Sequence, residues 1–261
     1  MRLTDARVLL TGATGGLGGA LAVALSHRGA KLLVAGREPD ALARLAARLG
    51  PGHHSVRADL NRAEDVGAVV DAAQVFGVNV LINNAGIGGF GLFAAQDWAG
   101  IDAVLATNLV APMRLTHALL PQLTRQRQAA IVNIGSTFGS VPFAGFAAYS
   151  AAKAGLRGFS QALRRELADT GVAVIHFAPR AIATTLNTAA VDALNRELGN
   201  RSDSAEVVAG AIVAALQRGS HEHHLGFPER LFARLNGIAP SLIDRGVAGK
   251  LAAIKRHAAT G

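Results

Sequence analysis

The chain has 261 residues, half of them apolar, with 26 Lys and Arg against 18 Asp and Glu and no Cys. Such a composition excludes intrinsic disorder, and the lack of Cys excludes disulfides, thiolate metal sites and a Cys nucleophile. The formal net charge of +8 is spread along the chain without a dense basic block, and with one Trp and one Tyr there is little for base stacking, so nucleic acid is not an expected partner.

No apolar run reaches the ~18 uninterrupted residues of a membrane-spanning helix. The start of the chain, charged at Arg2, Asp5 and Arg7, does not read as a signal peptide, and a cytoplasmic protein is expected.

Short apolar runs alternate with helical patterns. The first run, 6–10, leads directly into Thr11-Gly12-Ala13-Thr14-Gly15-Gly16-Leu17-Gly18, after which Leu17, Leu21 and Leu25 recur at helical spacing. Gly12 suits a sharp turn off the strand, Gly16 lets backbone approach a phosphate, and Gly18 lets the helix pack closely. The helix start then offers free N–H groups and its positive dipole end to a pyrophosphate. The spacing, G-x-x-x-G-x-G, makes a longer loop than the G-x-G-x-x-G dinucleotide fingerprint.

The second run, 31–35, ends at Gly36-Arg37. An acidic residue there would bind a ribose 2′-hydroxyl; an Arg instead offers a cationic fork to a 2′-phosphate. NADP(H) is therefore expected over NAD(H). A helical pattern at Ala41, Leu45 and Leu49 follows, then a run at 54–57 and Asp59-Leu60. Asp59 either accepts from an adenine amine or caps the next helix.

A fourth run, 79–82, opens into Asn83-Asn84-Ala85-Gly86, and Asn108 follows in a helical stretch. The fifth, 129–134, precedes Ser136 by two residues. Tyr149, the only Tyr, stands four residues before Lys153, on one helical face with it. A neighbouring ammonium stabilises phenolate, so a phenol acidified below its usual value is expected. The sixth run, 172–178, leads to Pro179-Arg180-Ala181-Ile182-Ala183-Thr184, and a weaker seventh lies at 222–227. Runs this apolar suit strands buried on both faces, and their alternation with helices predicts an α/β doubly wound parallel sheet of about seven strands, helices on both faces.

In these markers the chain resembles the short-chain dehydrogenase/reductase family, of the ~250-residue type with a T-G-x-x-x-G-x-G loop and a Y-x-x-x-K motif. The resemblance runs closely from residue 5 to 184 and more loosely to 227. It implies one Rossmann-like domain over 1–227, with 228–261 a helical extension packed on that domain or at a subunit contact. It implies catalysis by Asn108, Ser136, Tyr149 and Lys153: a water-holding Asn, a Ser orienting the carbonyl, a Tyr acid–base, and a Lys that binds the nicotinamide ribose. It implies cofactor binding by Gly12, Thr14, Gly15, Gly16, Leu17, Gly18, Arg37, Asp59, Leu60, Asn84, Ala85, Gly86, Tyr149, Lys153, Pro179, Ile182 and Thr184, and no metal. The activity implied is hydride transfer between NADP(H) and a carbonyl or secondary alcohol, in a homodimer or homotetramer. Phe138, Val141, Phe143 and Phe146 suggest an apolar or acyl-chain substrate. The alternative on the same fold is a non-catalytic NADP(H) sensor, which has no need of the Ser–Tyr–Lys set.

Three features depart from the family pattern. Arg180 replaces the Gly that usually follows this Pro, and is expected either to reach an anionic group of cofactor or substrate or to point to solvent. His221, His223 and His224 flank Glu222 without zinc-helix spacing, and read as a polar lead into the last strand. The tail, with apolar residues beside Arg and Lys, covers the pocket, contacts another subunit or lies on an acidic membrane surface.

Overall fold

The apolar runs form seven parallel strands: β1 (Arg7–Thr11), β2 (Lys31–Gly36), β3 (His54–Arg57), β4 (Val80–Asn83), β5 (Ala129–Ile134), β6 (Val172–Ala178) and β7 (Glu222–His224). The computed structural model describes residues 1–259. The strand order is β3-β2-β1-β4-β5-β6-β7. Chain direction across the sheet reverses between β1 and β4, and a crevice opens there at the carboxyl ends of the strands, where ligands of such sheets bind. The last strand is shorter than expected: it stops at His224, so His223 and His224 belong to the strand itself rather than leading into it.

Helices α1 (Gly16–Ser26), α2 (Pro39–Leu49), α3 (Ala63–Phe76), α4 (Trp98–Leu105), α5 (Ala111–Thr124), α6 (Ala147–Glu166), α7 (Ala189–Glu197) and α8 (Ala205–Arg218) connect the strands. One core lies between the sheet and α1, α2 and α8, with Leu21, Leu25, Ile212 and Val213 packed on Val8, Leu10, Leu32 and Ile175. The other lies on the opposite face, where Leu115, Leu119 and Leu123 of α5 meet Leu9, Leu81 and Ile131. Residues of β1, β4 and β5 thus alternate between two cores, which is why their runs show no polar face.

A single π turn, Ala106–Val110, joins α4 to α5. By length and composition the run Trp98–Thr124 is apolar enough to cross a membrane, but Leu115, Leu119 and Leu123 are fully buried in the second core. Three further helices, α9 (Phe227–Ile238), α10 (Pro240–Ala248) and α11 (Leu251–Ala258), follow β7. Ala253 and Ile254 of α11 pack with Leu194 of α7 and with Phe90 and Phe143.

A buried polar ladder crosses the sheet beneath the crevice. Asn83 Nδ2 donates to Asn133 Oδ1 at 2.8 Å, and Asn133 Nδ2 donates to Ser160 Oγ at 2.9 Å. Paired in this way, buried amides fix the register of β4, β5 and α6.

Candidate active site

The loop after β1 is shaped by contacts that only glycine permits. Gly12 has φ +62, a left-handed backbone that disfavours side chains. A Cβ on Gly18 would lie 2.1 Å from the Gly12 carbonyl oxygen, so α1 sits against the loop that precedes it. Thr11 Oγ1 accepts from Asn84 N and Ala85 N, each at 3.0 Å, and Asn84 Nδ2 donates to Thr11 O at 2.9 Å. The ends of β1 and β4 are thereby bound together. The amino end of α1 carries no side-chain cap, leaving its first N–H groups without intrahelical partners.

These groups border a cavity of about 1100 Å³. Every residue singled out in the sequence for catalysis or cofactor binding lines it, from Gly12, Thr14, Gly15, Gly16, Leu17 and Gly18 through Arg37, Asp59, Leu60, Asn84, Ala85 and Gly86 to Asn108, Ser136, Tyr149, Lys153, Pro179, Ile182 and Thr184. The donor set fits a nicotinamide dinucleotide: an uncapped helix start for a pyrophosphate at one end, a phenol and an ammonium at the other. Arg37, exposed at the end of β2, has no ion pair or hydrogen bond among the described residues. Asp59 forms a local turn, its Oδ1 accepting from Asn61 N at 3.0 Å.

At the other end, Ser136 follows β5 and opens a short 3₁₀ turn, its Oγ accepting from Phe138 N at 3.2 Å. The same hydroxyl stands beside that of Tyr149 and favours its ionised form. Rings of Phe138 and Phe146 flank Tyr149 edge-on, 6.4 and 6.2 Å between centroids. Lys153 is 5% exposed, donates from Nζ to Ile134 O at 3.0 Å, and lies 5.6 Å from the Tyr149 ring centroid. Burial pushes its ammonium down to about 8.

The expected acidified phenol is not what this geometry produces. Burial raises Tyr149 above the usual phenol value, and only the neighbouring Ser136 hydroxyl works the other way. Lys153 fails to offset the burial because its ammonium is turned to the Ile134 carbonyl and is itself desolvated.

Asn108, fully buried in the π turn, donates from Nδ2 to Ile87 O at 2.9 Å and accepts from Ile87 N at 3.2 Å. It braces the 87–89 loop over the cavity. Arg180 does not point to solvent, as one of the two readings had it: it lines the cavity and is held there by an ion pair. Its Nε and Nη2 form a bidentate pair with the Asp203 carboxylate, at 2.8 Å and 2.5 Å, and Nη1 lies 3.8 Å from Glu229 Oε1. The arginine ties the segment after β6 to the start of α8 and to α9. Arg180→Gly strands a largely buried carboxylate and should cost about 1–3 kcal/mol. A thermal midpoint lowered by about 3–8 °C, with the NADPH Kd changed less than about threefold, is the expected result; a tenfold weaker Kd would show that Arg180 contacts the cofactor.

Of the three histidines, His224 bonds Glu222 at 3.2 Å and His223 packs on the Phe177 ring; Glu222 is bound by Arg157 and Gln161 as well. Burial works to raise its carboxyl, but hydrogen bonds from Arg157, Gln161 and His224 hold it at about 2. No group of three His, Cys, Asp or Glu able to hold a metal occurs among the described residues.

His176 of β6 escaped notice in the sequence. It is 1% exposed, and neither ring nitrogen has a partner among the described residues. A Cβ on Gly135 would lie 2.2 Å from its Nε2, so the ring fills the space directly behind Ser136. Burial pulls the imidazole down to about 4. Between pH ~6.5 and ~4 the unfolded chain therefore binds a proton that the folded chain refuses, and stability falls as pH falls through that window. Urea denaturation should show a loss of about 2 kcal/mol from pH 7 to 4.5 that His176→Gln removes. An equal loss in the variant would assign the acid sensitivity elsewhere.

Comparison with known proteins decides the family. The short chain dehydrogenase family model matches residues 6–195. The chain belongs to the short-chain dehydrogenase family. It is 36% identical over 254 residues to the ketoacyl reductase HetN of Nostoc sp., covering 93% of this chain and 88% of that protein. It is similar to a short-chain dehydrogenase from Sphingobium yanoikuyae in complex with NADPH, with TM-score 0.78, 30% identity, and 92% and 95% of the two chains covered. It is also similar to a 3-ketoacyl-(acyl-carrier-protein) reductase from Brucella melitensis complexed with NADH, with TM-score 0.79, 26% identity, and 85% and 97% covered. As a short-chain dehydrogenase it is an oxidoreductase with a nicotinamide cofactor.

From the tail, Phe232, Leu235, Leu242 and Ile243 line the cavity, as the pocket-covering reading of those residues expected; Phe90 and Leu186 line it too and were not singled out in the sequence. Both lie between regular elements, where no periodicity marks an apolar residue as lining a site.

Proposed function

We propose that this short-chain dehydrogenase is an NADP(H)-dependent ketoreductase acting on an apolar carbonyl compound. The observation that carries the reading is the Ser136–Tyr149 hydroxyl pair at the mouth of an aromatic pocket, with Lys153 beneath it. When bound, the nicotinamide would supply the hydride or take it up.

The residues handle the proton and the charge. In reduction, negative charge grows on the substrate oxygen, and two hydroxyls stabilise it more strongly there than in the ground state. Ser136 donates a hydrogen bond and Tyr149 donates its proton. Burial disfavours the phenolate, so Tyr149 enters the reduction protonated, as a donor. Lys153, largely cationic at pH 7, would hold the ribose hydroxyls. Asn108 spends one N–H and one lone pair on Ile87 and keeps one of each for a water that reloads the proton.

Arg37 at the end of β2, with no carboxylate on the strand end itself, supports NADP(H) over NAD(H). The cofactor would rest on the glycine loop, Asp59, Leu60, the 84–86 turn and the 179–184 segment. Phe138 and Phe143, stacked at 5.3 Å, with Val141, Phe146 and the tail residues Phe232 and Leu235, would receive the apolar part of the substrate. The similarity to ketoacyl reductases favours the same class. Self-association as a homodimer or homotetramer belongs to this reading. The test is oxidation of NADPH and of NADH, followed by ultraviolet absorbance, across aliphatic, aromatic and acyl-thioester ketones. Turnover of none of them by the purified enzyme would defeat the reductase reading.

A further inference from the structure

Helices α9 and α10 contain no buried residue, although α9 is rich in large apolar side chains. On α9, Phe227, Arg230, Leu231, Arg234 and Ile238 fall within about 100° of arc. Phe227 is 72% exposed, Leu231 55% and Ile238 85%, and both arginines are exposed. The other side of the same helix is engaged with the protein: Glu229 faces Arg180, Asn236 Nδ2 donates to Ser140 O at 3.0 Å, and Leu235 lines the cavity. The helix is thus anchored by one face and presents an apolar stripe edged with arginine on the other.

We propose that this outer face of α9, with its corner into α10, docks on a bilayer that carries anionic lipids. Charge decides the occupant. On α9 and α10 the chain has three Arg, at 230, 234 and 245, against two carboxylates, Glu229 and Asp244, and Glu229 is turned inward to Arg180. A two-fold contact between copies through this stripe would set Arg230 and Arg234 against the same residues of the partner. An anionic membrane surface attracts those groups, while Phe227, Leu231 and Ile238 enter the headgroup boundary beside them.

The docking stands without the reductase assignment, because its readout is physical. The full chain is floated with vesicles of phosphatidylcholine alone or mixed with phosphatidylglycerol. Flotation with the anionic vesicles, lost in high salt, is expected. The double variants L231E/I238E and R230E/R234E should each lower the bound fraction roughly tenfold or more, with an unchanged thermal midpoint showing that they fold. A protein that stays with the dense fractions in both mixtures overturns the proposal, as do variants that float like the parent. Sedimentation that shows a self-associated parent split by L231E/I238E, without flotation, assigns the stripe to a second copy instead.

Discussion

Tyr149→Phe should lower kcat roughly 10³-fold, within the span expected for loss of a general acid. The substitution removes one oxygen and leaves the ring between Phe138 and Phe146, so the pocket keeps its shape. Ser136 still accepts from Phe138 N. Tryptophan or NADPH fluorescence should give a cofactor Kd within about threefold of the parent, because no phosphate-binding group is touched. A variant that turns over at near the parent rate would transfer the role of acid to another group. A Kd weakened tenfold would make Tyr149 chiefly a binding residue.

Arg37→Asp should reverse the cofactor preference. A charged hydrogen bond to a phosphate contributes about 1.5–3 kcal/mol, and the carboxylate adds repulsion toward the same group. It also gains an acceptor for a ribose hydroxyl. The ratio of kcat/KM for NADPH to that for NADH should fall at least about 100-fold. Arg37 is exposed and unpaired among the described residues, so the change should leave the thermal midpoint within about 2 °C. An unchanged ratio would show that the 2′-phosphate is read elsewhere.

What was legible in the sequence was carried by local pattern. Runs such as 129–134 and 172–178 could be read as buried strands because both their faces meet a core. The glycine loop announced itself through Gly12 and Gly18, whose roles follow from backbone geometry within a few residues. Tyr149 and Lys153 were findable because four residues make one helical turn. What was not legible depends on contacts between distant segments. Arg180 meets Asp203, 23 positions away, and no periodicity announces such a pair. The sign of the Tyr149 shift turns on how deeply α6 carries the phenol, and adjacency to Lys153 alone suggested the opposite. His176 looked like one more strand residue, since the room its ring fills is left by Gly135, just past the end of the neighbouring strand.

The π turn at Ala106–Val110 has a bearing beyond the bracing of Ile87 by Asn108. Ahead of it, Ile101 and Val104 pack with Ala148 and Ala152 of α6; beyond it, Leu115, Leu119 and Leu123 pack on the sheet. A regular α-helix through this stretch would swing everything downstream by about 100° for each residue omitted. The widened turn is therefore a phase corrector: it lets one continuous rod satisfy two differently aimed hydrophobic surfaces. Shortening the rod by one residue there would throw the downstream leucines out of step with the sheet while their composition stayed intact.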